Sequence, residues 1–200
     1  MASAAGGPAV FSQDFFHARA KVFAIIPKFF FYDLQGNKIG FLKRKWFTLK
    51  DIRLYTDESM AQELLTVKMR SIIPAFSATY EVVDAREQTK VGVLKRRAWS
   101  GMLGDLIIMD AADQDIGRIH EESAIMSLLR GFLLANLIPQ SYVFEVGGQQ
   151  VGTAKLHFNP FVLKMDVDLR RDSARKLDRR LAAAAVMLLL AIEGTGHVSG

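Results

Sequence analysis

The chain contains no cysteine and only five prolines in 200 residues. Without cysteine there is no disulfide framework, no thiol nucleophile, no cysteine-ligated zinc and no palmitoylation site. Histidine is scarce too. His17, His120, His157 and His197 are scattered and show no metal-ligand spacing such as HxxxH. "HEES" at His120–Ser123 is the closest approach to acid–base text, and it reads as a polar strand end. There is no P-loop, no GxSxG and no dinucleotide fingerprint. No nucleophile can be named, so the expectation is a protein that is not an enzyme. The N-terminal "MASAAGGPAVFSQDFF" lacks the basic-then-apolar order of a secretory signal. It reads as a flexible tail over residues 1–14, with a cytoplasmic location and room for peripheral membrane contact.

What is present is apolar and basic. Half the residues are hydrophobic, enough for a sizeable core in one domain of ordinary size. The net charge is +5, which makes phospholipid headgroups, nucleic acid or acidic proteins plausible partners. The plainer reading is that such a charge only keeps a domain soluble.

One stretch, "LAAAAVMLLLAIEG" (181–194), carries no polar group from Leu181 to Ile192. A surface helix has a polar face and this segment has none, so it is wrapped by protein or inserted in lipid. Twelve residues rise about 18 Å as a helix, against a hydrocarbon core of roughly 30 Å. The preceding "RRDSARKLDRR" cannot extend the span cheaply. A buried helix is expected, over about 173–193, with Asp172 or Ser173 as its N-cap and Gly194 at its C-terminal end.

The wrapping comes from a repeated pattern: a β-rich run, a polar turn, then glycine and another β-rich run. It occurs at "FFYDLQGNKIGFLKRKWF", "YEVVDAREQTKVGVLKRRAW", "DLIIMDAADQDIGRIHEES" and "YVFEVGGQQVGTAKLHF", with later glycines at Gly40, Gly92, Gly117 and Gly152. The turns fall at Asp33–Asn37, after Asp84, at Asp110–Asp115 and at Gly147–Gly148. Further runs, "ARAKVFAIIP", "DIRLYT", "ELLTVKMRSII" and "FNPFVLKMDVDL", raise the count to about eleven or twelve strands. "SAIMSLLRGFLLANLIP" (123–139) is open between a buried strand pair and a helix. Many antiparallel strands plus one apolar helix have a compact solution: a closed barrel with the helix in its lumen. Ten to twelve tilted strands give a radius near 10–12 Å, and a helix about 10 Å across fits. The fold class expected is therefore mainly β, a closed antiparallel barrel of about twelve strands around a buried C-terminal helix.

The order of hairpins, "GFLKRKW", "GVLKRRAW", "LIPQSY" and "LDRRLAAAAVMLLLAIE" resemble the bacterial branch of the LURP-one-related and phospholipid scramblase superfamily over roughly residues 15–195. The resemblance implies a Tubby C-terminal-like fold, a twelve-stranded barrel around a hydrophobic helix, with a tail at 196–200. It also implies a range of functions, among them phosphoinositide binding and calcium-dependent lipid scrambling. Scramblases place a proposed calcium site just before the final helix, where this chain has Asp166, Asp168 and Asp172. Arg170 and Arg171 interrupt these acids, and calcium needs six to eight oxygens, so pairing with the arginines is the competing reading. No other cofactor is implied. The scramblases' cysteine-rich motif and proline-rich N-terminal region are missing.

Two basic triads carry the most specific chemistry. Lys43, Arg44 and Lys45 precede Trp46; Lys95, Arg96 and Arg97 stand just before Trp99. Arginine forks onto phosphate, lysine adds a point charge, and tryptophan favours the water–lipid boundary. Alternate strand residues share a face, so Lys43 would face with Lys45, and Lys95 with Arg97. If the two repeats lay side by side, four cations would converge. The bland alternative is a solvated barrel wall. A second cluster, Arg170, Arg171, Arg175, Lys176, Arg179 and Arg180, crowds the start of the final helix, where positive charge is unfavourable. It is either an anion site at the barrel mouth or a set of ion pairs. The functional expectation is an anionic phospholipid or membrane-surface binder, monomeric. Bilayer perturbation and a soluble protein-interaction scaffold are the alternatives. Nucleic acid is disfavoured because aromatics are not interleaved through the triads.

Overall fold

The computed structural model describes residues 7–21, 28–44, 49–73, 77–97, 105–122, 140–157 and 162–196. The ambiguous run at 123–139, and Lys45, Trp46 and Trp99, lie outside the described residues. A short helix, α1 (Ala9–Ser12), precedes twelve strands. These are β1 (Phe15–Lys21), β2 (Phe29–Tyr32), β3 (Lys38–Arg44), β4 (Asp51–Tyr55), β5 (Glu63–Ile73) and β6 (Ser77–Asp84). They continue with β7 (Thr89–Arg97), β8 (Leu106–Met109), β9 (Asp115–Glu121), β10 (Gln140–Val146), β11 (Gln149–His157) and β12 (Val162–Asp168). The last element is α2 (Arg179–Gly196).

Each strand pairs antiparallel with its sequence neighbours, and β1 pairs with β12, so the sheet closes into a barrel with no free edge. Period-two burial follows. On β4, Ile52 and Leu54 point inward; on β12, Leu163, Met165 and Val167 do. The inward rows enclose α2. Leu181 to Ala191 are all buried, none more than 2% exposed. The apolar segment is thus surrounded by the wall on every side. Ala182–Ala185 keep its first turns slender.

The hairpins share one device. Each hairpin at the end where α2 enters has a bulge, with one extra apolar residue on its second strand: Ile39, Leu64, Val91, Ile116 and Val151. In four of the five the next residue is the repeat glycine. A Cβ on Gly92 would stand 2.3 Å from the Met109 carbonyl oxygen, and one on Gly117 would stand 2.0 Å from that of Glu145. Gly152 faces the Asp168 carbonyl at 2.7 Å. Any side chain here would collide with the next strand's backbone. Gly40 is looser, 3.2 Å from a Leu54 methyl. Gly147 and Gly148 both have positive φ, as the tight two-residue turn between β10 and β11 requires.

Three expectations need correction. Residues 9–12, read as part of a flexible tail, form α1, whose Val10 is buried. Helix α2 starts at Arg179 rather than near 173, and its backbone continues past Gly194 to Gly196. Its N-cap is Asp178, whose Oδ1 accepts the Arg180 N–H at 2.8 Å. Asp172 instead accepts the backbone N–H groups of Lys176 and Leu177, closing a loop before the helix. A capped loop satisfies those donors, so the helix gains nothing by beginning earlier.

Candidate functional site

Two basic regions of the described surface differ in how their charges are used. The first is the barrel mouth where α2 enters. Arg179, only 5% exposed at its side chain, donates to Asp172 Oδ2 at 2.7 Å and to Asp14 Oδ1 at 2.8 Å. Arg180 pairs with Asp178 at 2.8 Å, with the fully buried Asp84 at 3.2 Å and with Glu87 at 3.4 Å. Arg86 also reaches Asp84, at 3.3 Å. Burial alone would push the Asp84 carboxyl up, but hydrogen bonds from Arg86, Glu87 N–H and Arg180 outweigh it and hold it below the usual carboxylate range. Asp172 behaves alike: burial opposes ionisation, while Arg179 and the Leu177 and Lys176 amides favour it more. These pairs fasten the first turn of α2 to the wall.

A cleft of about 290 Å³ opens at this mouth, lined by Phe11 and Leu177 and by Arg86, Arg175, Arg179 and Arg180. Its arginines are answered by carboxylates. Arg175 stands 3.5 Å from Asp14, and the other three are paired as above. Four arginines meet Asp14, Asp84, Glu87, Asp172 and Asp178, so the cleft presents no surplus positive charge to an anion. Of the remaining cluster, Arg170 binds Asp168 at 2.6 Å and Lys176 donates to Gln149. Arg171 is exposed.

The three acids before α2 do not converge. Asp166 lies on the outer wall, Asp168 is held by Arg170, and Asp172 is buried against Arg179. Among the described residues no group of three or more His, Cys, Asp or Glu side chains is arranged so that it could hold a metal ion. Asp168 and Asp172 take the arginine pairing that competes with calcium, and Asp166 takes histidine and lysine instead.

The basic triads are not side by side. Strands β4, β5 and β6 separate β3 from β7, and their outer face is mixed in charge, with Asp51, Glu63 and Glu81 beside Arg53 and Lys68. Lys43 is exposed on β3, and register places it opposite Arg53 on the outside. Lys95 and Arg97 share the outer face of β7, as alternation requires. Arg96 points the other way, in register with the buried Leu106, and its Nε has no hydrogen-bond partner among the described residues. Arg44 pairs with Ile52 through the backbone.

The second region is the outer wall formed by β11, β12, β1, β2 and β3, and most of its cations escaped the sequence reading. Arg19 on β1 lies directly opposite Lys164 on β12, and Lys164 directly opposite His157 on β11. Lys155 is exposed two residues before His157. Arg19 rests over the Tyr32 ring at 5.4 Å, and Lys38 over the Phe30 ring at 4.3 Å. Phe30 in turn packs on Phe41 at 5.3 Å. Lys28 and Lys38 share one carboxylate, Glu58. Of the acids on β12, Asp168 is held by Arg170 and Asp166 lies among the cations of the wall. Its Oδ1 receives His17 Nδ1 at 2.6 Å and Lys164 Nζ at 3.1 Å, and its Oδ2 receives His157 Nε2 at 2.7 Å. Burial raises this carboxyl, but contacts with His17, Lys164 and His157 prevail and keep it below the ordinary range. Arg19, Lys43 and Lys155 make no ion pair among the described residues.

No family model and no curated protein matches the chain. A protein from Arabidopsis thaliana solved by X-ray crystallography is similar in structure, with a TM-score of 0.50 at 13% identity, covering 94% of this chain and 99% of that one. At that identity the likeness concerns the barrel fold alone. Among the described residues no helix is long and apolar enough to cross a membrane.

Proposed function

We propose that the chain is a Tubby-like, LURP-one-related barrel that binds anionic phospholipid surfaces through the outer wall of β11, β12, β1, β2 and β3, without catalysis or a required cofactor. One observation carries the reading: Arg19 and Lys164 are set opposite each other across an antiparallel pair. Like charges directly opposite each other destabilise a sheet, and Asp166 answers only Lys164, so Arg19 is the cation left to an anion from outside. Neighbouring Lys155 and Lys43 extend the field. Half-buried Phe30 and Tyr32 supply apolar bodies of the kind that suit a headgroup boundary. The protein would work at the membrane periphery, as a monomer.

Co-sedimentation with phosphatidylcholine vesicles, with and without 30% phosphatidylglycerol, tests this. Binding should require the anionic lipid and fall steeply between low salt and about 0.5 M, where the Debye length is short. Replacing Arg19, Lys43 and Lys155 by Gln should weaken it by about 1 kcal/mol per cation. No binding at any salt would favour a protein-interaction scaffold. Binding that persists in high salt and with neutral lipid would favour direct bilayer insertion.

A further inference from the structure

The wall holds a group of side chains that the binding reading does not use: two imidazoles flanking one carboxylate, drawn from three strands. His17 comes from β1, His157 from β11, and Asp166 from β12 between them. With both rings neutral, each must donate its proton to the carboxylate. His17 then carries hydrogen on Nδ1 and His157 on Nε2, so the opposite nitrogen of each ring is left to take up a proton. We propose that this trio makes the wall a pH-graded membrane contact, binding anionic lipid more tightly as pH falls from 7.5 to 5.5. This rests on the lipid-binding reading above.

Imidazole is the side chain that changes charge between about pH 5 and 8. Asp166 stays ionised through that range, because the contacts described above hold its carboxyl low. His17, His157, Lys164 and Asp166 therefore sum to zero with neutral rings and to +2 when both are charged. The surroundings are mixed. His17 faces Asp166 and Lys164 from β12 and lies opposite Tyr32 of β2. Its own strand adds Arg19 and the Phe15 ring, which meets it edge-on at 5.1 Å. Arg170 stacks on that Phe15 ring at 5.2 Å while bound to Asp168. His157 lies opposite Lys164, and Lys155 lies opposite Asp166. Lys164, Arg19 and Lys155 oppose further positive charge; Asp166, touching both rings, favours it. An anionic bilayer would favour it too, so lipid and proton would each promote the other's binding. The side chains are 18% (His17) and 37% (His157) exposed, open enough to exchange protons with solvent.

The test is co-sedimentation with vesicles of phosphatidylcholine and 30% phosphatidylglycerol at pH 7.5 and 5.5, at constant salt. The charge of phosphatidylglycerol does not change in this range. Each added charge at an anionic leaflet is expected to tighten binding about fivefold, so the wild-type chain should gain roughly 30-fold. The double substitution His17→Gln, His157→Gln should bind as the wild type does at pH 7.5 and gain nothing at pH 5.5. Asp166→Asn gives a second reading: it should bind about fivefold more tightly at pH 7.5, one negative charge having been removed. A wild-type gain that the double variant keeps, or binding that ignores pH, would overturn the pH grading and leave the lipid reading standing. No binding to these vesicles at either pH in low salt would overturn the lipid reading itself, and the pH grading with it.

Discussion

The barrel mouth and the barrel wall are both rich in arginine and lysine, yet their charges are spent differently. At the mouth, Arg179 and Arg180 are met by buried carboxylates that are themselves hydrogen-bonded to backbone amides. On the wall, Arg19, Lys43 and Lys155 make no ion pair among the described residues, and Arg19 faces Lys164. The dense cluster in the sequence is thus a fastening, and the dispersed cations are the ones left to meet a ligand. Local density of charge says little about availability. Availability is decided by which acids the fold brings within reach.

The largest effect is expected at the plug. Leu188→Asp places an unpaired carboxylate in a fully buried site and should leave no soluble folded protein. A monomeric variant with unchanged melting would overturn the account of α2 as the core. Next come the fastenings. Asp172→Ala strips Arg179 of its buried partner and frees two amides, and should cost about 3–5 kcal/mol in urea unfolding. Asp84→Ala should cost a similar amount through Arg180. Acid gives the same contrast without mutation. Asp84 and Asp172 have folded pKa values depressed below their unfolded ones, so the unfolded chain binds protons first as pH falls. Their contribution should be whole above about pH 5 and drain away below about pH 4. Urea midpoints at pH 7, 5 and 3 should show it, and the double Asn variant should show a flatter profile.

Wall substitutions should behave in the opposite way. Arg19→Gln, Lys43→Gln and Lys155→Gln together should shift stability by no more than about 0.5 kcal/mol per site, while vesicle binding falls. The smallest effect should come from Lys95→Gln with Arg97→Gln on β7. These cations are separated from the wall patch by three strands, β4, β5 and β6, and their loss should change binding least. If it weakens binding as much as the wall variant does, the triads are a genuine site and the patch has been drawn on the wrong side.

The barrel and its plug were legible because both are local statements. Turn residues, a following apolar–glycine pair and period-two runs each fit within about twenty residues. An all-apolar segment announces its own burial. The ion pairs of Arg170 and Arg179 were legible in kind, since Asp168 and Asp172 lie nearby in sequence. The wall was not. His17 meets Asp166 across 149 positions, and Arg19 meets Lys164 only because β1 closes on β12 in one register. The triads misled for a different reason: "DIRLYT" and "ELLTVKMRSII" read as strands, and the start of the second hairpin adds a third between the triads, yet their repetition suggested a side-by-side placement that the strand order does not give.

The bulges have a consequence for how the chain tolerates change. The hairpin tips they lie beside vary from the two residues Gly147–Gly148 to the seven between Tyr55 and Glu63, while the extra apolar residue keeps its place in every one. Strand alignment is therefore set inside the sheet and not by the length of the tip. A tip can be lengthened, shortened or exchanged for a foreign epitope without sliding the strands behind it. A single residue inserted between the bulge and its glycine would turn the remainder of that strand inside out, moving its apolar side chains into water and its charges onto the helix.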